Sequence, residues 1–353
     1  MNPLQRWPAN WRYSGFGVGK HQWQHYLPQV YLAGFGTPTG EVWRYDRVGG
    51  ALKALGTPVI GAEKDLYSLI TGQQLSHEIE TRWFNPLDGR FGPVLRKLEN
   101  CAQISPAELR DLANFVAYLC VRTPSKIRET ETSFRQLDVF LGPGREGITY
   151  HSRPADCFPE TYVMSEERCE DVSTRRAAED QRNEALKTLV STGMQLARAL
   201  LDLEWTILIA PLRRSFVIGD NPFAIVPPES HDVNIEGVGP MTPGAAVFVP
   251  LSSRICLRTT NTRKPALGHR NVDGLAVRAI NSCQVLNSER YLFSQSDALL
   301  KRLVGDLATV PGLNLGEVVL REAPSVSDKS RSLLHFFTKS KIGPEWMRKV
   351  PMV

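Results

Sequence analysis

Two histidines, three glutamines and four aromatic rings crowd into the fifteen residues His21-Gln-Trp-Gln-His25-Tyr-Leu-Pro28-Gln29-Val-Tyr-Leu-Ala-Gly34-Phe35. Core packing seldom needs so many polar heads beside so much aromatic surface, so a site is sought here first. His21 and His25 stand four apart. On a helix that spacing puts both imidazoles on one face, where they could share a metal ion. Pro28, however, sets the helix start after His25, and at an entry turn the His25 ring would hydrogen-bond backbone instead. Both readings stay open.

Other groups qualify by position. Asp220-Asn221-Pro222 follows the apolar run Phe216-Val-Ile-Gly, and a carboxylate at a strand end suits metal binding or acid–base work. The same tripeptide is ordinary turn chemistry. Glu63 and Asp65 follow an expected strand, and Glu78 and Glu80 lie on the next helix; with His25 and Asp220 such carboxylates could surround a divalent ion that activates water, or they line a solvated face. Arg122 ends a helix at Arg122-Thr123-Pro124, and Arg128 begins the next. The pair either caps carbonyls or clamps an anion.

The pieces also carry a resemblance. His25-Tyr26, Pro28-Gln29, Tyr31-Leu32 and Phe35, then Trp43, Tyr45 and Asp46, match the opening of the bacterial domain-of-unknown-function family 4238. Ala62-Glu63-Lys64-Asp65-Leu66-Tyr67, Arg122-Thr123-Pro124 with Arg128, Asp220-Asn221-Pro222, Val249-Pro250-Leu251-Ser252, and Asn281 with Tyr291 continue the series in order. The resemblance spans roughly residues 20 to 297. Gln24 departs from it where a second His is common, and Gly219 where Ser often precedes the Asp-Asn-Pro. It raises His25 above His21, and Glu63 and Asp220 as site candidates. It implies an architecture and no reaction.

The elements that must position these groups follow from periodicity. A short helix after Pro28, closed by Gly34, leads to a strand over Glu41–Asp46 and another over Pro58–Gly61. A helix around Ser76–Phe84 should break at Asn85-Pro86 and Asp88-Gly89. The capping box Ser105-Pro106-Ala107-Glu108 opens a helix to Val121 with an apolar stripe at Leu112, Phe115 and Leu119. Helices from Ser125 to Leu141 and from about Ser173 to Leu203 follow. Thr206–Ala210 and Arg214–Ile218 suggest a hairpin, and Ala246–Val249 and Arg254–Arg258 a second pair. A helix over Leu275–Leu286, a strand over Tyr291–Ser294 and a helix over Asp297–Val304 end the pattern. The fold class is α+β: a mixed or antiparallel sheet built from N- and C-terminal strands, with a central helical block packed on it. An extended arm over 1–20, one integrated domain over 21–310 and a basic tail over 311–353 are expected.

Composition narrows the function. A chain of 353 residues with 42% hydrophobic content can bury a sizeable core. No apolar run is long enough for a membrane helix, and the N-terminus lacks a signal-peptide core, so a cytoplasmic protein without membrane contact is expected. The six cysteines contain no Cys-x-x-Cys pair, which argues against structural zinc. A net charge of +5 permits nucleic acid or another polyanion as partner, although the basic residues are dispersed. Walker, dinucleotide, Gly-x-Ser-x-Gly and His-Glu-x-x-His motifs are missing. Two readings remain. One is a non-catalytic binding or interaction protein, its aromatic N-terminus a docking surface or a stabilising core. The other is a metal-dependent hydrolase, acting on phosphodiesters or nucleic acid. There His25, Asp220 and Glu63 would be catalytic, with His25 and Asp220 holding the divalent metal and Arg122 and Arg128 binding the anion.

Overall fold

The structure, a computed structural model, describes residues 20–71, 74–141, 148–154, 162–168, 178–226, 239–261 and 266–308. Apart from Lys20, the expected N-terminal arm lies outside the described residues, as does the basic tail.

The chain opens with β1 (Trp23–His25), α1 (Gln29–Ala33), β2 (Glu41–Asp46) and β3 (Leu52–Gly56). Pro28 is the residue before α1 and stays extended at ψ 144°, while its carbonyl accepts from the Leu32 amide at 2.9 Å. Gly34 closes α1 in an ordinary right-handed conformation, φ −65°. The space there is tight: a Cβ would stand 3.1 Å from Ser252 Cβ and 3.2 Å from the Tyr31 carbonyl. The strand expected over Pro58–Gly61 is instead a 3-10 turn, Thr57–Val59, because Pro58 fixes a turn-compatible φ. Gly61 then adopts φ +63°, and the strand β4 begins only at Ala62 (Ala62–Lys64). β4 lies antiparallel to β1, with Gln24 opposite Glu63. β5 (Leu69–Thr71) and β6 (Gln74–Ser76) pair with each other.

The helical block departs from expectation at its start. The helix does not break after Phe84. It widens into a π-turn over Glu80–Phe84 and runs on as α2 (Asn85–Glu99). Pro86 comes directly after the π-turn, where the hydrogen bonding is already irregular, and the helix continues through it. α3 (Pro106–Val121) begins at the capping box, with Ser105 Oγ accepting from the Glu108 amide and Glu108 accepting from the Ser105 amide. Its stripe of Leu112, Phe115 and Leu119 is buried. α4 covers Pro124–Leu141. A hairpin not foreseen from sequence, β7 (Ile148–Pro154) with β8 (Tyr162–Arg168), precedes α5 (Ala178–Leu201). α5 lies against α3: Tyr118 Oη donates to the Val190 carbonyl at 2.9 Å. A Cβ on Gly193 would overlap the Tyr118 ring, so this close approach requires glycine.

The rest of the chain contributes β9 (Glu204–Ile209), β10 (Ile218–Gly219), β11 (Ala224–Val226), β12 (Ala246–Pro250), β13 (Ile255–Thr260), β14 (Ala266–Asn271), α6 (Gly274–Asn287), β15 (Tyr291–Ser294) and α7 (Asp297–Ala308). The expected hairpin of Thr206–Ala210 with Arg214–Ile218 does not form. β9 pairs antiparallel with β13 and parallel with β14. The Phe216 amide donates to the Ser253 carbonyl, and the Val217 amide to Asn281 Oδ1, which leaves only Ile218–Gly219 to pair, with β15.

Two larger sheets result. An antiparallel four-stranded sheet runs β10-β15-β2-β3, joining N- and C-terminal strands, and a mixed five-stranded sheet runs β11-β12-β13-β9-β14. The fold class is α+β. Among the described residues no helix is long and apolar enough to cross a membrane.

Candidate functional site

Arg122 follows the last turn of α3, its amide donating to the Tyr118 carbonyl at 3.0 Å. The side chain turns inward and is 1% exposed. Its Nε donates to the Tyr26 carbonyl at 3.1 Å, and Nη1 donates to both carboxylate oxygens of Asp88 at 3.0 and 3.3 Å. The guanidinium lies 5.3 Å from the Phe84 ring centroid and 5.9 Å from that of Phe115, close enough for cation–π attraction in a desolvated setting. Tyr67 Oη donates to the Arg122 carbonyl at 2.6 Å. One donor is left over: Nη2 is buried without a hydrogen-bond partner among the described residues. Nη1 is paired with the chain's own Asp88 carboxylate.

Glu80 sits in the π-turn, a helix irregularity often found at functional sites. Burial pushes its carboxyl up to about 7; the positive charge of Arg122 opposes this and the negative charge of Asp88 adds to it. Its Oε2 is buried with no hydrogen-bond partner among the described residues. Burial also raises the Asp88 carboxyl, against the pull of Arg122. His25 feels the same guanidinium. Burial lowers its pKa, a hydrogen bond to the Thr57 carbonyl raises it, and the Arg122 charge lowers it further. The His25 Nε2–Thr57 O distance is 3.3 Å.

Asp220 is buried at the end of β10. Its Oδ1 accepts from the Glu289 amide at 2.7 Å, and its Oδ2 from the Arg290 and Tyr291 amides at 2.7 and 2.9 Å. Burial raises its pKa, and the backbone bonds from Tyr291 and Arg290 oppose that. This carboxylate clasps the turn between α6 and β15. Asn221 Oδ1 accepts from Ser125 Oγ at 2.9 Å, and Asn287 Nδ2 donates to the Asn221 carbonyl at 2.6 Å. Gly219 admits the turn, since a Cβ there would lie 2.6 Å from Ser288 Cβ. Asp220→Asn would turn an acceptor into a donor facing backbone donors. It should lower stability by about 1 to 3 kcal/mol, read from the urea midpoint at neutral pH; an unchanged midpoint would remove the clasp from the account.

The remaining candidates divide. β1 is extended, so the helical face that would bring His21 and His25 together does not exist; His21 Nδ1 contacts Asp65 Oδ2 instead. Glu63 is largely exposed on β4, yet neighbouring protein desolvates its carboxyl enough to raise its pKa, with Arg128 opposing and Glu289 adding. Arg128 pairs with Glu289 at 2.7 Å. The two sets of groups meet at Tyr26. Its carbonyl holds Arg122, while burial, then the charges of Asp220 and Glu63, raise its phenol's pKa. Among the described residues no three His, Cys, Asp or Glu side chains are grouped to hold a metal ion. Of the N-terminal aromatics, Tyr26 and Tyr31 are core and Trp43 packs against it, whereas Trp23 is 71% exposed.

From sequence, Glu80 is one of four carboxylates that could surround a divalent ion or line a solvated face, with no link to Arg122, and Asp88 reads only as part of a turn signal with Gly89. The signal that would have found them is the register of one continuous helix through Pro86, which sends Glu80 and Asp88, eight residues apart, toward one face.

The profile of the family described as "Protein of unknown function (DUF4238)" matches residues 23–298. The chain belongs to that family. No curated protein and no solved structure matches it. The matched blocks touch one another in the fold: Tyr31 Oη donates to the Pro250 carbonyl at 2.5 Å, Arg122 binds Tyr26, Ser125 binds Asn221, and Asp220 binds Tyr291.

Proposed function

We propose that this member of the family is a binding protein, and that its ligand completes the hydrogen bonding of Arg122 and Glu80. One observation carries the reading. Arg122 Nε and Nη1 are held by the Tyr26 carbonyl and Asp88, while Arg122 Nη2 and Glu80 Oε2 are both buried and both unpartnered among the described residues. Buried polar atoms left this way cost free energy until something pairs with them. A small carboxylate or similar anion would accept from Nη2, and the protonated form of Glu80 could donate to it. A net charge of +5 permits a polyanionic partner, and the reading places the protein in the cytoplasm.

The test is a titration of the unfolding midpoint with formate and acetate at pH 6 and pH 8. Saturable stabilisation is expected, following the logarithm of ligand concentration, stronger at pH 6, where Glu80 is protonated, and lost in Arg122→Lys, which gives up the fork geometry. A midpoint that stays flat in both anions would defeat the reading.

A second reading has its own observation. A carboxyl that titrates near 7 is poised for general acid–base catalysis, and phosphodiester hydrolysis is the corresponding reaction class. His25 and Asp220 would then hold a divalent ion, at the expense of the Thr57 contact and the backbone clasp. Hydrolysis of bis(p-nitrophenyl) phosphate with added Mg2+ or Mn2+, reduced about 100-fold or more in Glu80→Gln, would favour this reading over the first.

A further inference from the structure

Four arginines line a pocket of about 450 Å3 beside the first turn of α6: Arg213, Arg214, Arg278 and Arg302. They reach it from three elements, the Pro211–Arg214 turn, α6 and α7. Among the described residues no carboxylate forms an ion pair with Arg213, Arg214 or Arg302. The acid in the wall, Asp273, is committed to capping α6, accepting from the Ala276 amide at 2.8 Å. The turn that delivers two of the arginines is itself unusual. Arg213 has φ +68°, a left-handed conformation that L side chains seldom adopt and that often marks a functional position. Arg214 lies against the start of α6, its Nε 3.1 Å from where a Cβ on Gly274 would stand.

Arg213, Arg214 and Arg302, with no carboxylate ion-paired to them among the described residues, set up a local positive potential that favours an anion between them. Guanidinium groups suit phosphate oxygens in particular, because two N–H donors can bind two oxygens at once. The lining also contains the apolar side chains of Leu275, Leu299 and Leu303, and Leu275 is 61% exposed. The volume falls in the small-molecule range. A strand of nucleic acid would call for a groove that follows several successive phosphates. We propose that this pocket binds a small organic phosphate, its phosphate groups held by the arginines and its apolar body resting on the leucines. The pocket shares no residue with the Arg122 centre.

Calorimetric titration of the full chain in phosphate-free, low-salt buffer tests this, with ADP, pyrophosphate, adenosine and an eight-nucleotide single strand as probes. One saturable ADP site is expected, at least tenfold tighter than pyrophosphate or adenosine. Arg214→Gln and Arg302→Gln should each weaken ADP about tenfold and together about 100-fold, with unfolding midpoints unchanged. Arg198→Gln, an exposed arginine on α5, should bind like the parent. Neither pocket variant alters Arg122 or Glu80, so this result stands apart from the formate titration. Absence of saturable ADP binding would overturn the proposal. So would pyrophosphate binding as tightly as ADP, an oligonucleotide binding more tightly than ADP, or an equal loss in Arg198→Gln.

Discussion

Replacing Arg122 with methionine should destabilise the protein by about 3 to 5 kcal/mol at neutral pH, the usual cost of removing one partner from a buried ion pair. Methionine fills much of the same volume and removes every donor. The Tyr26 carbonyl then loses its partner, and the Asp88 carboxyl, 19% exposed, keeps its burial without its counter-charge. Partial exposure of Asp88 places the effect toward the lower end, since solvent and a proton can partly relieve it. The second arm is Arg122→Met with Asp88→Leu. Replacing both members of such a pair with apolar groups is often nearly neutral, so the double variant should recover most of the loss and show a coupling well above what separate sites give. Urea denaturation of the parent, Arg122→Met, Asp88→Leu and the double variant supplies the cycle. A single variant within 1 kcal/mol of the parent would mean that the guanidinium does not anchor the core.

Such an arginine was partly legible in the sequence. Its place after a capped apolar helix was clear, because the capping box, Pro106 and the stripe at Leu112, Phe115 and Leu119 are local signals that agree with one another. The strand Glu41–Asp46 forms over the bounds expected for it, although its burial does not alternate. What local pattern could not supply was the direction in which Arg122 points. A helix-terminal arginine can cap carbonyls or turn inward, and that depends on Asp88, which sits across a helix pair. Proline and glycine misled where tertiary structure overrode them: the helix continues through Asn85-Pro86 after the π-turn, and Pro58 makes a turn where a strand was expected. The hairpin expected after Ile209 failed for a related reason. Phe216 and Val217 spend their backbone donors on Ser253 and Asn281, partners far away in sequence. Asp220 shows the limit from the other side. Both of its readings, strand-end carboxylate and turn former, describe real features of its setting, and the three backbone donors from residues 289 to 291 are what the sequence does not announce.

Glu80→Gln should stabilise the protein at pH 8 by roughly 3 kcal/mol and leave it almost unchanged at pH 4. The sign follows from the direction of the shift. The ordinary carboxyl value is 4.5, and burial raises that of Glu80 to about 7 in the folded chain. Between those values the folded protein holds a proton that the unfolded chain has released, so stability from this group is fully present below pH 4.5 and is lost as pH rises through 7. Glutamine is a permanent mimic of the protonated acid and should flatten that part of the profile. Some slope should survive in the variant, because burial also raises Asp88 and Asp220, and these act with the same sign. Arg122 sharpens the test, since its charge pulls the Glu80 pKa down; in Arg122→Met the Glu80 carboxyl should titrate still higher. Carbon-detected NMR of the Glu80 carboxyl in the parent and in Arg122→Met reads both midpoints directly, beside urea midpoints from pH 4 to pH 8. A parent midpoint near 4.5, or a Glu80→Gln profile parallel to the parent's, would show that the π-turn carboxyl is open to water and would withdraw it from both the binding and the acid–base readings.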